Sequence, residues 1–231
     1  MKNTFGQNVT ITLFGESHGA AVGAVLDGIA AGLPADETFI AQRLTLRRPQ
    51  LASDTARKEK DDFRILSGVK DGFTTGAPLT VIVPNEDIRS GDYEQIRNLP
   101  RPSHADYAAR IKYGGYEDYR GGGHFSGRVT AALVAAGAIL LQALENKGVI
   151  IGSHILSCGN VSDERYSLDP TSEIKNTKGK PFPVLNDNKQ EEMLAEIAAA
   201  AKNNDSIGGT VETAICGLPA GLGEPWFDSI E

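Results

Sequence analysis

Cysteine is scarce in this 231-residue chain, with only two present. Cys158 and Cys216 lie far apart and match no metal-ligand spacing, so neither a disulfide framework nor a cysteine-based metal centre is expected. A cytoplasmic address follows as the expectation. Met1-Lys2-Asn3 leads into no apolar leader run, so no secretory signal is expected. Long hydrophobic runs are missing too. The most apolar stretch, Ala131 to Leu141, is short for a bilayer span and reads as a buried helix, with no membrane partner. Net positive charge is also lacking: the formal charge is −7, which sets nucleic-acid backbone binding aside. There is no internal repeat and no strand–GxGxxG–helix unit, which argues against a Rossmann domain.

The remaining composition is that of a soluble globular protein, 40% hydrophobic and 23% charged, on a chain long enough to bury a real core. The 26 glycines cluster in loops, where they let backbone approach a ligand. Charge is unevenly spread. Of 12 arginines, 11 fall between Arg43 and Arg128, where they and 4 lysines face 12 acids. Guanidinium groups suit bidentate recognition of carboxylate and phosphate, so an acidic chain with an arginine-rich middle points to a small, multiply anionic ligand.

Val9 to Phe14 alternates and predicts a half-buried strand, with a second extended segment over Ala21 to Ile29. Asp36 predicts an N-cap, with a helix running to Arg48 and stopped by Pro49. Arg43 and Arg47, four apart, would share its face. Phe63–Val69 and Leu79–Val83 predict strands, and His104–Tyr113 a short helix. Gly121–Gly123 predicts a flexible loop. A long apolar helix is expected from Ser126 to Glu145, with Gly148 past its end. Val149–Ser157 and Gly209–Cys216 read as strands and Gln190–Lys202 as a helix, with a polar excursion between Asp163 and Asp187. The irregular alternation favours an α+β fold.

Four histidines occur. His154 lies in an apolar alternating stretch and reads as a strand residue without a catalytic part. His18, His104 and His124 each sit on a loop built of Gly or Pro, where functional side chains concentrate, and imidazole both gives and takes a proton near neutrality. Gly121-Gly122-Gly123-His124, flanked by Arg120 and Arg128 and opening a helix, suggests a phosphate or flavin cradle. Gly15-Glu16-Ser17-His18-Gly19 also fits the G-x-S-x-G elbow of serine hydrolases, but that motif requires a helix after the serine, and the residues here look extended.

The segments Phe14-Gly15-Glu16-Ser17-His18-Gly19, Arg47-Arg48-Pro49, Arg101-Pro102-Ser103-His104-Ala105-Asp106-Tyr107, Asp118-Tyr119-Arg120-Gly121-Gly122-Gly123, Ser126-Gly127-Arg128 and Pro219-Ala220-Gly221-Leu222-Gly223-Glu224-Pro225 resemble, in order, the chorismate synthase family. The resemblance implies a β-α-β sandwich with helices layered between antiparallel sheets, and a homotetramer. It implies conversion of 5-enolpyruvylshikimate-3-phosphate to chorismate and phosphate, a 1,4-trans elimination requiring reduced FMN. NADPH as reductant and a separate flavin reductase are left open. By the same resemblance His18 donates a proton to the departing phosphate, and His104 protonates the reduced flavin. His124, Phe125 and Ser126 contact the flavin where many relatives read Arg-Ser-Ser. Arg47, Arg120 and Arg128 bind substrate or phosphate. Many relatives carry arginine at position 53; Ser53 stands here, with Arg57 as the nearby substitute. No metal is implied. Residues 1–231 are expected to form one domain truncated at its C-terminus and inactive alone, its 226–230 segment reading as the middle of an element. A non-catalytic flavin- or anion-binding fragment is the alternative.

Overall fold

The structure is a computed structural model that describes residues 2–51, 53–54, 59–86, 93 and 97–223. Its internal contacts divide the chain into two units, residues 1–49 with 55–143 and residues 50–54 with 144–231.

The first unit is built on a five-stranded antiparallel sheet. Its strands are β1 (Thr4–Gly6), β2 (Thr10–Gly15), β3 (Ala21–Asp27), β4 (Arg64–Ser67) and, after a small hairpin of β5 (Val69–Lys70) and β6 (Phe73–Thr74), β7 (Leu79–Pro84). They lie in the order β1-β2-β3-β7-β4. Side chains alternate between the faces of a strand, so Val22, Ala24 and Leu26 of β3 and Leu79, Val81 and Val83 of β7 all point to one face, each 0% exposed. Burying each Val or Leu contributes about 1.5–3 kcal/mol. That face is covered by Ile40 and Leu44 of α1 (Glu37–Thr45) and by a row of small residues, Ala131, Ala132, Ala135, Ala136 and Ala138, on α3 (Thr130–Glu145). On the other face Gly23 pairs with Phe14, and a Cβ at Gly23 would stand 2.2 Å from the ring. The glycine thus lets the Phe14 ring lie flat on the sheet.

Asp36 caps α1 as expected, accepting from Thr38 N at 2.8 Å and Phe39 N at 3.3 Å. The helix ends at Thr45, not Arg48, because its last residues tighten into i→i−3 bonds, Arg47 N to Leu44 O and Arg48 N to Thr45 O. Arg47 therefore leaves the helix face it was expected to share with Arg43. The strand expected over Phe63–Val69 breaks at Gly68, whose φ of +82° and 2.4 Å approach to Leu79 Cα exclude a side chain. The chain then turns at Asp71-Gly72, both at positive φ, a two-residue hairpin signal. Helix α2 covers Asp106–Tyr113, so His104 precedes it.

The three glycines expected as a flexible loop are wound into a 3₁₀-like turn, Arg120–Phe125, with φ of +57°, +84° and +54° at Gly121, Gly122 and Gly123. Ser126 caps the short turn Gly127–Val129 that leads into α3. Gly127–Glu145, 19 residues, is long and apolar enough to cross a membrane by composition. Here its alanines and Ile139 face the sheet, as the core helix of a globular unit does.

In the second unit β8 (Ile150–Cys158) lies between β10 (Gly209–Cys216) and β9 (Val161–Ser162), again antiparallel. Helix α5 (Asp187–Lys202) buries Met193 against Cys158, Phe182 and Val184. The excursion from Asp163 to Asp187 contains a short helix, α4 (Thr171–Thr177), that periodicity did not reveal because it buries only Ile174 and Thr177. Gly152 of β8 makes room for it: a Cβ there would meet Ile174 Cγ2 at 2.4 Å. Helices and antiparallel sheets thus combine in an α+β fold, as expected. Arg57 and the 226–230 segment lie outside the described residues.

Candidate active site

The glycine turn is the floor of the site. Three successive positive φ values bend the backbone so that two successive residues receive two histidines. A Cβ at Gly121 would stand 2.4 Å from Ser17 Oγ and 2.6–2.7 Å from Cδ2 and Nε2 of His18. A Cβ at Gly122 would stand 2.6 Å from Cε1 of His104. His18 on the loop after β2 and His104 before α2, 86 positions apart in the sequence, are thus brought onto adjacent residues of one turn. The turn is locked to the His18 loop by Ser17 N donating to Gly123 O at 3.1 Å and Ser17 Oγ donating to Gly121 O at 3.2 Å.

His104 is oriented by neighbours that the sequence reading had not singled out. Its Nδ1 lies 3.1 Å from Asp106 Oδ1. Arg101 grips the same carboxylate with Nε at 2.8 Å and Nη2 at 2.9 Å, and Arg101 N adds a bond at 3.1 Å. The Arg101 hydrogen bond is the main reason the Asp106 carboxyl is pulled down to about 2. Arg101 Nη2 also lies 3.4 Å from His104 Nδ1, so this ring nitrogen sits between a donor and an ionised acceptor, with Nε2 on the far side of the ring.

His18 is buried, 6% exposed, with its ring edge-on to Tyr93 at 5.1 Å between centroids. Asp118 and Arg120 form a fork beside the turn, Nε and Nη2 each 2.8 Å from a carboxylate oxygen. Burial alone would raise the Asp118 carboxyl. The Arg120 hydrogen bonds, with the fields of Arg120 and His18, outweigh that and hold it below the usual range.

Two cavities adjoin the turn. One, about 20 Å³, is bordered by Arg97, Arg101 and Arg110 together with Asp106, Asp118 and Gly122. The other, about 420 Å³, has aromatic walls, Phe14, Tyr113, Tyr116 and Phe125, and is also lined by His124 and Glu16. His124 Nδ1 lies 2.8 Å from Gly15 O; a carbonyl can only accept, so Nδ1 carries hydrogen. Phe125 stacks on Tyr113 at 6.4 Å. Glu117 lines both cavities, and its buried Oε2 has no hydrogen-bond partner. Ser126, by contrast, uses its hydroxyl to accept from Arg128 N at 3.2 Å.

The predicted arginines differ in what they hold. Arg47 donates to Asp61 at 2.7 Å and to Thr130 Oγ1 at 3.0 Å, and borders an open pocket with Arg48 and Ser126. Arg128 is 7% exposed and donates to Asn85 Oδ1 at 2.9 Å, to Pro84 O at 2.9 Å and to Asp61. Among the described residues, no cluster of His, Cys, Asp and Glu is arranged to hold a metal.

The G-x-S-x-G reading does not match this geometry. Ser17 is 0% exposed and is followed by strand β3, not by a helix. His154 is fully buried on β8, as a strand residue of the second unit.

Comparison with known proteins places the chain in a family. The family model described as chorismate synthase matches residues 9–231. A chorismate synthase of Korarchaeum cryptofilum is 46% identical over 228 residues, covering 98% of this chain and 63% of that protein. One of Ignicoccus hospitalis is 47% identical over 232 residues, covering 99% and 60%. A crystal structure of chorismate synthase matches with a TM-score of 0.71 at 30% identity, over 92% of this chain and 59% of that one. The chain thus spans about three-fifths of the length of the relatives it matches, and it belongs to the chorismate synthase family.

Proposed function

We propose that this chain carries the proton-donating part of a chorismate synthase, a lyase of aromatic amino acid biosynthesis. The reaction converts 5-enolpyruvylshikimate-3-phosphate to chorismate and phosphate by 1,4-trans elimination. The observation that carries this reading is the seating of His18 and His104 on Gly121 and Gly122. Two imidazoles on adjacent residues of one rigid turn can hold protons at two nearby points of a bound ligand.

The substrate is multiply anionic, and Arg97, Arg101 and Arg110 border the cavity next to His104. Guanidinium groups there would neutralise carboxylate and phosphate. His18 donates its proton to the departing phosphate, whose charge grows as the carbon–oxygen bond breaks. Arg47 and Arg128, with Arg57, are the phosphate-side candidates; Arg120 keeps its fork on Asp118.

Reduced FMN fits the aromatic cleft. Phe14, Tyr113, Tyr116 and Phe125 offer flat apolar walls for an isoalloxazine, and the orphaned Glu117 Oε2 would accept from a ligand N–H or O–H. When bound, the reduced flavin supplies an electron-rich partner to an elimination with no net redox change. His104 holds a proton at the glycine turn, with its Nδ1 beside Asp106 and Arg101. His124 lacks the permanent charge of the arginine that many relatives carry there. A homotetramer in the cytoplasm, with NADPH or a separate reductase supplying reduced flavin, completes the proposal.

Anaerobic incubation of the full-length protein with reduced FMN and 5-enolpyruvylshikimate-3-phosphate is expected to release phosphate. No release under any reducing condition would overturn the reading. Flavin binding without turnover would favour the non-catalytic fragment.

A further inference from the structure

One side chain ties the His18 loop to the rest of the first unit, and it is not a residue of the site. Asn85 follows β7 directly and is half-buried. Its backbone N–H donates to Ala20 O at 3.1 Å. Its Nδ2 donates to Glu16 O at 2.9 Å and to Gly19 O at 2.8 Å. These two carbonyls flank Ser17-His18, so a single amide closes the loop across the histidine. The loop's internal bond, Gly19 N to Glu16 O at 3.0 Å, shares one of those carbonyls.

The orientation of the amide is not free. Arg128 Nε lies 2.9 Å from Asn85 Oδ1, and a guanidinium can only donate. That forces the oxygen toward Arg128 and the NH₂ toward the loop. Arg128 is itself fixed, 7% exposed, with Asp61 and Pro84 O as further acceptors. Asp61 is 6% exposed and also accepts from Arg47 at 2.7 Å. A relay of directional bonds thus runs from Arg47 through Asp61, Arg128 and Asn85 to the backbone on both sides of His18.

We propose that Asn85 is a positioning residue that sets the place of His18, with Arg128 aiming its amide. Arg128 then serves the loop through this relay besides its proposed phosphate-side place. The effect on turnover rests on the proton-donor role proposed for His18; the effect on the loop does not.

The test uses Asn85→Asp and Asn85→Ala in the full chain. Aspartate keeps the shape and the bond from Arg128 but cannot donate to either carbonyl; alanine removes both. In each, amide exchange at Gly19 should quicken about tenfold or more, the loss expected for a hydrogen bond of ordinary strength. The imidazole resonances of His18 should shift or broaden, while those of His154 in the second unit stay in place. Phosphate release should show kcat lowered about tenfold or more with KM within about twofold, a split that general destabilisation would not produce. Unchanged Gly19 exchange and unchanged His18 resonances in Asn85→Asp would overturn the proposal. A loop that loosens while kcat holds would support the positioning role and instead remove His18 from the proposed reaction. Should Asn85→Ala fail to fold, Asn85→Asp still decides.

Discussion

His154 in the second unit and His18 in the first are both buried, at 0% and 6% exposure, yet they are built for different ends. His154 faces carboxylates on both ring nitrogens, Glu212 Oε2 at 3.0 Å and Asp163 Oδ2 at 3.5 Å. The Tyr166 ring closes a third side at 4.5 Å. Those carboxylates are anchored in turn: Tyr166 N donates to Glu212 at 2.8 Å, and Leu185 N and Asn186 N donate to Asp163 at 2.6 and 3.1 Å. The backbone bond from Tyr166, then the one from His154, holds the Glu212 carboxyl below its usual range. Such a ring is a strut between β8, β10 and the segments around 163 and 185. His18 and His104 instead each set a ring edge against glycine backbone, at Gly121 and Gly122. Burial therefore does not separate a structural from a functional histidine; the glycine backbone against the ring edge does.

The sharpest way to break this contrast is to exchange the effects. His18→Ala should lower phosphate release about 100- to 10,000-fold, the range for loss of a positioned proton donor, with the melting midpoint of the first unit moving by a few degrees at most. A melting loss as large as that of a core deletion would place His18 among the struts.

His154→Ala should do the reverse. It removes the 3.0 Å bond to Glu212 and leaves a gap where the fully buried ring stood, at a cost of about 1–3 kcal/mol. Denaturant unfolding of the second unit reads this directly. If stability is unchanged, the two carboxylates do not depend on the ring.

A smaller effect tests the glycine floor. Gly122→Ala puts a Cβ 2.6 Å from His104 Cε1 at φ +84°, so the ring must move. The backbone cost is about 1–2 kcal/mol, and turnover should fall more than stability does. Equal activity would mean that His104 need not sit on the turn.

The smallest effect concerns Asp106. Its carboxyl is pulled to about 2 by Arg101, below the ~3.9 of a free aspartate. A lowered carboxyl stabilises the fold above the free value, and that contribution fades as pH falls from ~4 toward ~2. The stability gap between the chain and Asp106→Asn should thus be constant at neutral pH, about 1 kcal/mol or less for a partly exposed pair, shrink through the acid range and vanish only once pH falls below the folded value of about 2. A gap as large at pH 2 as at pH 7 would show that the ion pair is not its source.

Legibility followed how local each signal was. The alternation in Val9–Phe14 and Leu79–Val83, the Asp36 cap and the α3 alanines are patterns within one element, and each was readable in order. The α4 helix was not, because seven residues with few buried positions carry no usable period. The end of α1 was missed because the tightening of Arg47 and Arg48 onto Leu44 and Thr45 leaves no mark in residue type. Among site residues, the loop histidines stood out, since His beside Gly or Pro is a local signal. Asp106 was visible only as an acid two places after His104 at the start of a helix. Asn85 gave no signal, since its partners lie at 16, 19 and 128.

By itself, the sequence determined the α+β class, the strand faces, the helix caps and the residue types capable of proton transfer and anion binding, because these depend on neighbours within a few positions. Only the tertiary structure decided that Gly121 and Gly122 would seat His18 and His104 side by side. It also decided that Arg128 would turn inward to Asn85 and that His154 would be enclosed by Asp163 and Glu212. Those outcomes depend on where separate segments come to rest, and contacts over about 3 Å cannot be read from spacings that run from 9 to 103 residues.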